Sequence, residues 1–132
     1  MPELELLDSF PVLAGLPVHE RELLAASLSD EAAEPGRELT RAGDLGWAMY
    51  AIVEGQAEVR DADGTFVGML RPGDTFGEIA LLVAGRRSAT VVARTPMRLL
   101  SLFAQDFQRM RADVPSFEAA LRDVIDERLG TG

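Results

Sequence analysis

Four glycines, Gly46, Gly55, Gly64 and Gly73, stand nine residues apart, with short runs of strand character between them. That interval holds one strand of about five residues and one tight turn, and it is too short for an ordinary helix plus a connection. The runs are Trp47–Val53, Ala57–Arg60 and Thr65–Leu70. Glu54-Gly55 and Asp63-Gly64 are turn signals, the second a strong hairpin type. Two more strands are predicted at Ser88–Arg94, which alternates and carries Thr90, Val91 and Val92, and at Arg98–Phe103. Nine of the twelve glycines fall between Gly36 and Gly85. Evenly spaced short strands and turns point to an antiparallel β-roll, barrel or sandwich.

Helical patterns flank this region. Residues 3–9 predict a short helical turn, interrupted at Phe10-Pro11 because a residue before proline avoids the α region. Residues 19–28 read as a helix with Leu24 and Leu28 on one side and Glu20, Arg21 and Glu22 outside. Pro35-Gly36 ends the helical pattern. After the strands, Gln105–Met110 is a short helix, and Pro115 suits the first position of a longer one over 115–129. Phe117, Leu121, Val124, Ile125 and Leu129 fall on one stripe of that helix. The chain of 132 residues is one domain by length, divided into an N-terminal helical segment (1–35), a β-roll (36–103) and C-terminal helices (104–129).

Composition removes several functions. There is no cysteine, hence no disulfide framework, thiolate metal site or cysteine nucleophile, which fits a cytoplasmic setting. His19 is the single histidine, so a multi-histidine metal site is excluded and a metal-dependent enzyme on a similar β-roll is disfavoured. No metal site is expected. No apolar run approaches the length of a membrane span. The net charge is −9, a poor match to a polyphosphate backbone, so DNA and RNA are not expected as partners.

The charge is uneven. Residues 86–111 hold six arginines against Asp106 alone, while every other stretch is acidic. This island opens with Arg86-Arg87, directly after Phe76-Gly77-Glu78-Ile79-Ala80-Leu81-Leu82 and a glycine-containing turn. Gly77 permits close backbone approach to a ligand. Glu78 to Leu82 can form one helical turn with N–H groups aimed at an anion. Arg87 offers a planar fork matching two phosphate oxygens, and Ser88 adds a hydroxyl. Glu78 would repel phosphate but accept a hydrogen bond from a sugar hydroxyl. Together they suit a ligand carrying both groups.

The order F-G-E-I-A-L-L followed by R-S-A-T-V (Phe76–Leu82, Arg87–Val91) closely resembles the phosphate-binding cassette of the cyclic nucleotide-binding domain family, here over 76–91. Ala42-Gly43-Asp44, Met49 to Gly55, Leu70 to Asp74 and Leu99 to Phe107 extend the resemblance over almost the whole chain. It implies a mainly β fold with flanking α-helices: an antiparallel, jelly-roll-like β-roll with N-terminal helices and a C-terminal helix pair. The implied ligand is cAMP or cGMP, with no further cofactor. By position, Arg87 would pair with the exocyclic phosphate, supported by Ser88 and Ala89. Glu78 would take the ribose 2′-hydroxyl, and Gly77, Ile79 and Ala80 would supply backbone contacts. Helix 115–129 would be a mobile lid, its apolar stripe packed loosely in the ligand-free state, with Arg128 stacking on the purine. Each residue has a plainer role beside this one: an Arg87–Glu78 ion pair closing the loop, helix-dipole compensation by Glu78, a strand start at Ser88, an exposed helical position for Arg128.

The resemblance implies a non-enzymatic sensor or regulatory module that passes a helix movement to a protein partner, a homodimer mate or the rest of a longer chain. With only three residues after Leu129, no DNA-binding helix-turn-helix is expected in this chain, and Met1 favours the expectation of a complete small protein over a domain of a longer one. The alternative is a family member that has lost nucleotide binding and serves as a protein–protein interaction module.

Overall fold

The computed structural model describes residues 4–82 and 85–131, with backbone only for Leu4 and residues 127–131. Eight strands form two four-stranded antiparallel sheets. The first holds β1 (Ser29–Ala33), β8 (Met97–Phe103), β3 (Ala48–Glu54) and β6 (Thr75–Phe76), in that spatial order. The second holds β2 (Glu38–Thr40), β7 (Thr90–Ala93), β4 (Ala57–Arg60) and β5 (Phe66–Leu70). Helices α1 (Leu4–Leu7), α2 (Pro11–Ala14) and α3 (Val18–Ser27) precede the strands, and α4 (Ile79–Leu82) interrupts them. Helix α5 (Ala104–Met110), a 3₁₀ turn at Arg111–Asp113 and α6 (Pro115–Thr131) follow. The expected jelly-roll architecture is the one observed.

Strands β3 and β8 are apolar on both faces because each face meets its own core. Alternation sends Ile52, Met97 and Leu99 into the roll interior, with Leu39, Ala57, Phe76, Val91 and Ala93. It sends Met49, Ala51, Leu100 and Leu102 outward under the helices, where Leu7, Phe10, Leu13, Leu24, Phe107, Phe117 and Leu121 cover them. Phe107 and Phe117 meet edge to face at 5.8 Å, joining α5 to α6.

Three of the evenly spaced glycines, Gly55, Gly64 and Gly73, have φ between +85° and +97° and form the turns. The Asp63-Gly64 turn is tied by the Asp61 carboxylate, which accepts the N–H of Asp63 (2.9 Å) and of Thr65 (3.0 Å). Gly46 lies outside this left-handed region and serves another purpose, described below.

Four expectations are corrected. The segment 1–35 is not helical throughout: Ser29–Ala33 is strand β1, paired along β8 and fastened by Arg98 to Asp30 at 2.9 Å. Its sequence, SDEAA, has no strand propensity, so pairing alone makes it a strand. Phe10-Pro11 interrupts the first helix as expected, but Pro11 then opens another, α2. Glu20 does not face outward; it is 6% exposed and its Oε1 accepts the Phe117 N–H at 3.1 Å, satisfying one of the orphan donors that start α6. Finally, the α6 stripe is not loosely packed: Phe117 and Leu121 are fully buried and Ile125 nearly so. Residue Leu129 of that stripe lies outside the described side chains.

Candidate functional site

Between β6 and β7 the chain leaves the sheets, and this excursion carries the arginine pair. Its return is held by a short backbone ladder to the loop at 43–46. Gly43 N–H donates to Arg87 O (2.9 Å), Arg87 N–H to Asp44 O (2.7 Å) and Gly46 N–H to Gly85 O (3.1 Å). The Ala42 N–H donates to Thr90 Oγ1 (2.9 Å), and Thr40 Oγ1 donates to Ala89 O (3.2 Å). The segment is therefore rigidly registered against β2 and its following turn.

A cavity of about 550 Å³ opens beside it, within the size range of small-molecule sites. Seven residues singled out from the sequence line it: Gly77, Glu78, Ile79, Ala80, Arg87, Ser88 and Ala89. The eighth, Arg128, lies outside the residues whose side chains are described. Among the described residues, none of α6 lines the cavity.

Polar and apolar groups occupy different parts of the lining. Arg87 is half-buried; its Nη2 donates to Ala48 O at 2.6 Å and its Nη1 more weakly to Gly77 O at 3.4 Å. Burial lowers the Arg87 pKa, while Tyr50 and Glu78 pull it back up; the guanidinium stays charged near neutral pH. Glu78 is 1% exposed, and its Oε1 accepts the Thr75 hydroxyl at 2.6 Å. Arg86, by contrast, is exposed and donates to Gly43 O at 2.7 Å. The N–H of Ala80 donates to Gly77 O at 3.1 Å, closing the turn that begins α4. Val59, Val67, Leu70 and Val91 supply the apolar wall from β4, β5 and β7.

Sequence reasoning missed that wall and Thr75. Thr75-Phe76-Gly77-Glu78 has the S/T-x-x-E spacing of a capping box, a signal that could have linked the threonine to the glutamate. The wall residues carried only a strand signal, since alternation does not tell a cavity-facing valine from a core one.

Among the described residues no group of acidic or histidine side chains is placed to hold a metal ion, and no helix is long and apolar enough to cross a membrane.

Known proteins share this sequence and this fold. The chain is 38% identical to a cAMP-dependent protein kinase regulatory subunit of Yarrowia lipolytica over 82% of its own length, and spans 29% of that relative. Among solved structures it resembles the catabolite activator protein of Thermus thermophilus, with TM-score 0.82 and 30% identity, covering 92% of this chain and 59% of that one. A mutated regulatory subunit of a cAMP-independent protein kinase A from Trypanosoma brucei, bound to cAMP in its A site, gives TM-score 0.79 and 31% identity, covering 95% of this chain and 45% of that one. Residues 31–113 match the family profile described as "Cyclic nucleotide-binding domain", and the chain belongs to that family.

Proposed function

We propose that this protein is a non-enzymatic cyclic nucleotide sensor that takes cAMP or cGMP into the 550 Å³ cavity. The observation that carries the reading is the joining, in one cavity, of a half-buried guanidinium, a buried carboxylate and an apolar wall. Arg87 pairs with the exocyclic phosphate oxygens, with Ser88 and Ala89 beside it. Glu78, oriented by Thr75, accepts the ribose 2′-hydroxyl; a buried carboxylate gains from each added donor. The base lies along Val59, Val67, Leu70 and Val91. A cyclic phosphodiester carries a single negative charge and suits one guanidinium. A nucleoside triphosphate would press several charges against Glu78, and the described lining offers only Arg86 and Arg87 as cations.

Binding is coupled to the helices through α4. Gln108 of α5 donates to Leu81 O, the carboxyl end of α4, at 3.0 Å. Helix α5 packs on α6 through Phe107 and Phe117. Nucleotide shifts α6 only to the extent that it binds one helix arrangement more tightly. The signal passes to a protein partner, a dimer mate or the remainder of a longer chain, in the cytoplasm.

Thermal melting with cAMP, cGMP and 5′-AMP tests the reading. At about a hundredfold excess over the dissociation constant, linkage adds about 2.7 kcal/mol, a rise on the order of 10 °C for a domain of this size. Cyclic nucleotides raise the melting temperature and 5′-AMP, with its doubly charged phosphate, raises it less. A flat response to millimolar cAMP and cGMP would leave the protein–protein interaction module as the surviving reading.

A further inference from the structure

We propose that Gly46 is a positioning residue for nucleotide binding: its missing side chain makes the space in which the Arg87 guanidinium lies. The proposal rests on the sensor reading above and extends it to a residue outside the cassette.

The guanidinium passes between two glycines. A Cβ built on Gly77 would stand 2.6 Å from Arg87 Nη1 and 2.8 Å from Ala48 O. A Cβ built on Gly46 would stand 3.0 Å from Arg87 Nε, 3.1 Å from Cζ and 3.0 Å from the Ala80 Cβ. Gly77 has φ +83° and needs glycine for its backbone alone. Gly46 has no such requirement, so its only demand is room, and the room is filled by Arg87 and Ala80. Gly46 cannot drift away from the arginine, because its N–H donates to Gly85 O at 3.1 Å and the adjoining Leu45 bridges Arg86.

A methyl group at Gly46 therefore pushes the guanidinium by a few tenths of an ångström, or lifts it off Ala48 O. Two parallel N–H···O bonds to a phosphate tolerate little misalignment, and binding groups must be held within about 0.5 Å of productive geometry. Gly46 itself lines the cavity, and its effect on the ligand is carried through Arg87.

A double-mutant cycle tests this: the unaltered protein, Gly46→Ala, Arg87→Ala and the double variant, each titrated calorimetrically with cAMP and each melted without nucleotide. Gly46→Ala is expected to weaken cAMP binding about tenfold or more. On the Arg87→Ala background the same change is expected to alter affinity less than about twofold, because the guanidinium is gone and only the Ala80 methyl remains beside the new Cβ. Melting without nucleotide closes the same cycle when affinity falls out of range: Gly46→Ala lowers the midpoint clearly more where Arg87 is present than where it is absent. An equal loss in both backgrounds assigns the effect to Ala80, to the loop or to direct contact of the new methyl with the nucleotide, and overturns the proposal. So does full affinity in Gly46→Ala. Absence of cAMP binding by the unaltered protein instead overturns the sensor reading, while the melting cycle still decides whether Gly46 acts through Arg87.

Discussion

Replacing each member of the arginine pair by alanine separates a binding residue from its neighbour. Arg87 lines the cavity half-buried, with Nη2 held by Ala48 O at 2.6 Å. Each hydrogen bond it gives to a charged phosphate is worth about 1.5–3 kcal/mol, so losing a bidentate contact costs about 3–5 kcal/mol. At 1.4 kcal/mol per decade, that is a loss of about a hundredfold to a few thousandfold in affinity. Arg86 is exposed, and its bond to Gly43 O is open to solvent. A screened charge of this kind contributes less than about 1 kcal/mol, so Arg86→Ala stays within about fivefold. Without nucleotide, Arg87→Ala gives up its charge-assisted bonds to two carbonyls, about 1–3 kcal/mol against a typical stability of about 5–15. The fold survives both changes. Calorimetric titration with cAMP measures affinity and urea denaturation measures the fold. Equal losses of affinity from the two variants would refute the assignment of phosphate to Arg87.

Two further consequences are independent of the ligand, and a third concerns its transmission to α6. Gly55→Ala places a Cβ 2.4 Å from Pro96 O at φ +91° and is expected to destabilise by about 2–4 kcal/mol; Gly64→Ala meets nothing within 4 Å and is expected to cost only its backbone strain, about 1 kcal/mol. Similar urea midpoints for the two would refute the steric account. Glu58 accepts from both Arg60 and Arg94 at 2.6 Å, and hydrogen bonding by Arg94, followed by Arg60, holds its pKa below the ordinary 4.5. A depressed carboxylate contributes stability that is fully present above its unfolded pKa and is lost as pH falls through the folded one. Urea midpoints of the unaltered protein should therefore drop below about pH 5, and Glu58→Gln should flatten that drop; parallel pH curves would count against it. On cAMP addition, amides 117–126 of α6 are expected to gain hydrogen-exchange protection beyond that at 77–82 and 85–89. A response confined to the cassette would place the output in α1–α3 instead.

The parts of the fold visible in the sequence were those with a local signal. Glycine turns at regular intervals marked β3, β4 and β5, and Pro115 with its apolar stripe marked α6. The cassette was legible because its groups are contiguous: a glycine, a carboxylate and a guanidinium lie within eleven residues and surround one cavity. What escaped depends on partners far along the chain. SDEAA is a strand because β8 lies beside it. Glu20 is buried because an N–H 97 residues away needs an acceptor. Val59 and Val67 face the cavity by virtue of how β4 and β5 fold over it, which alternation alone does not specify. Gly46 shares its spacing with three turn glycines, and only the packed structure shows that Arg87 and Ala80 fill the space a side chain there would take.

Titrating the unaltered protein with cAMP in a calorimeter tests the central claim most directly. One molecule of cAMP is expected to bind per chain, with an affinity that Arg87→Ala lowers by about a hundredfold or more. No heat up to millimolar cAMP and cGMP, or an affinity unchanged in Arg87→Ala, would contradict a cavity built around that arginine.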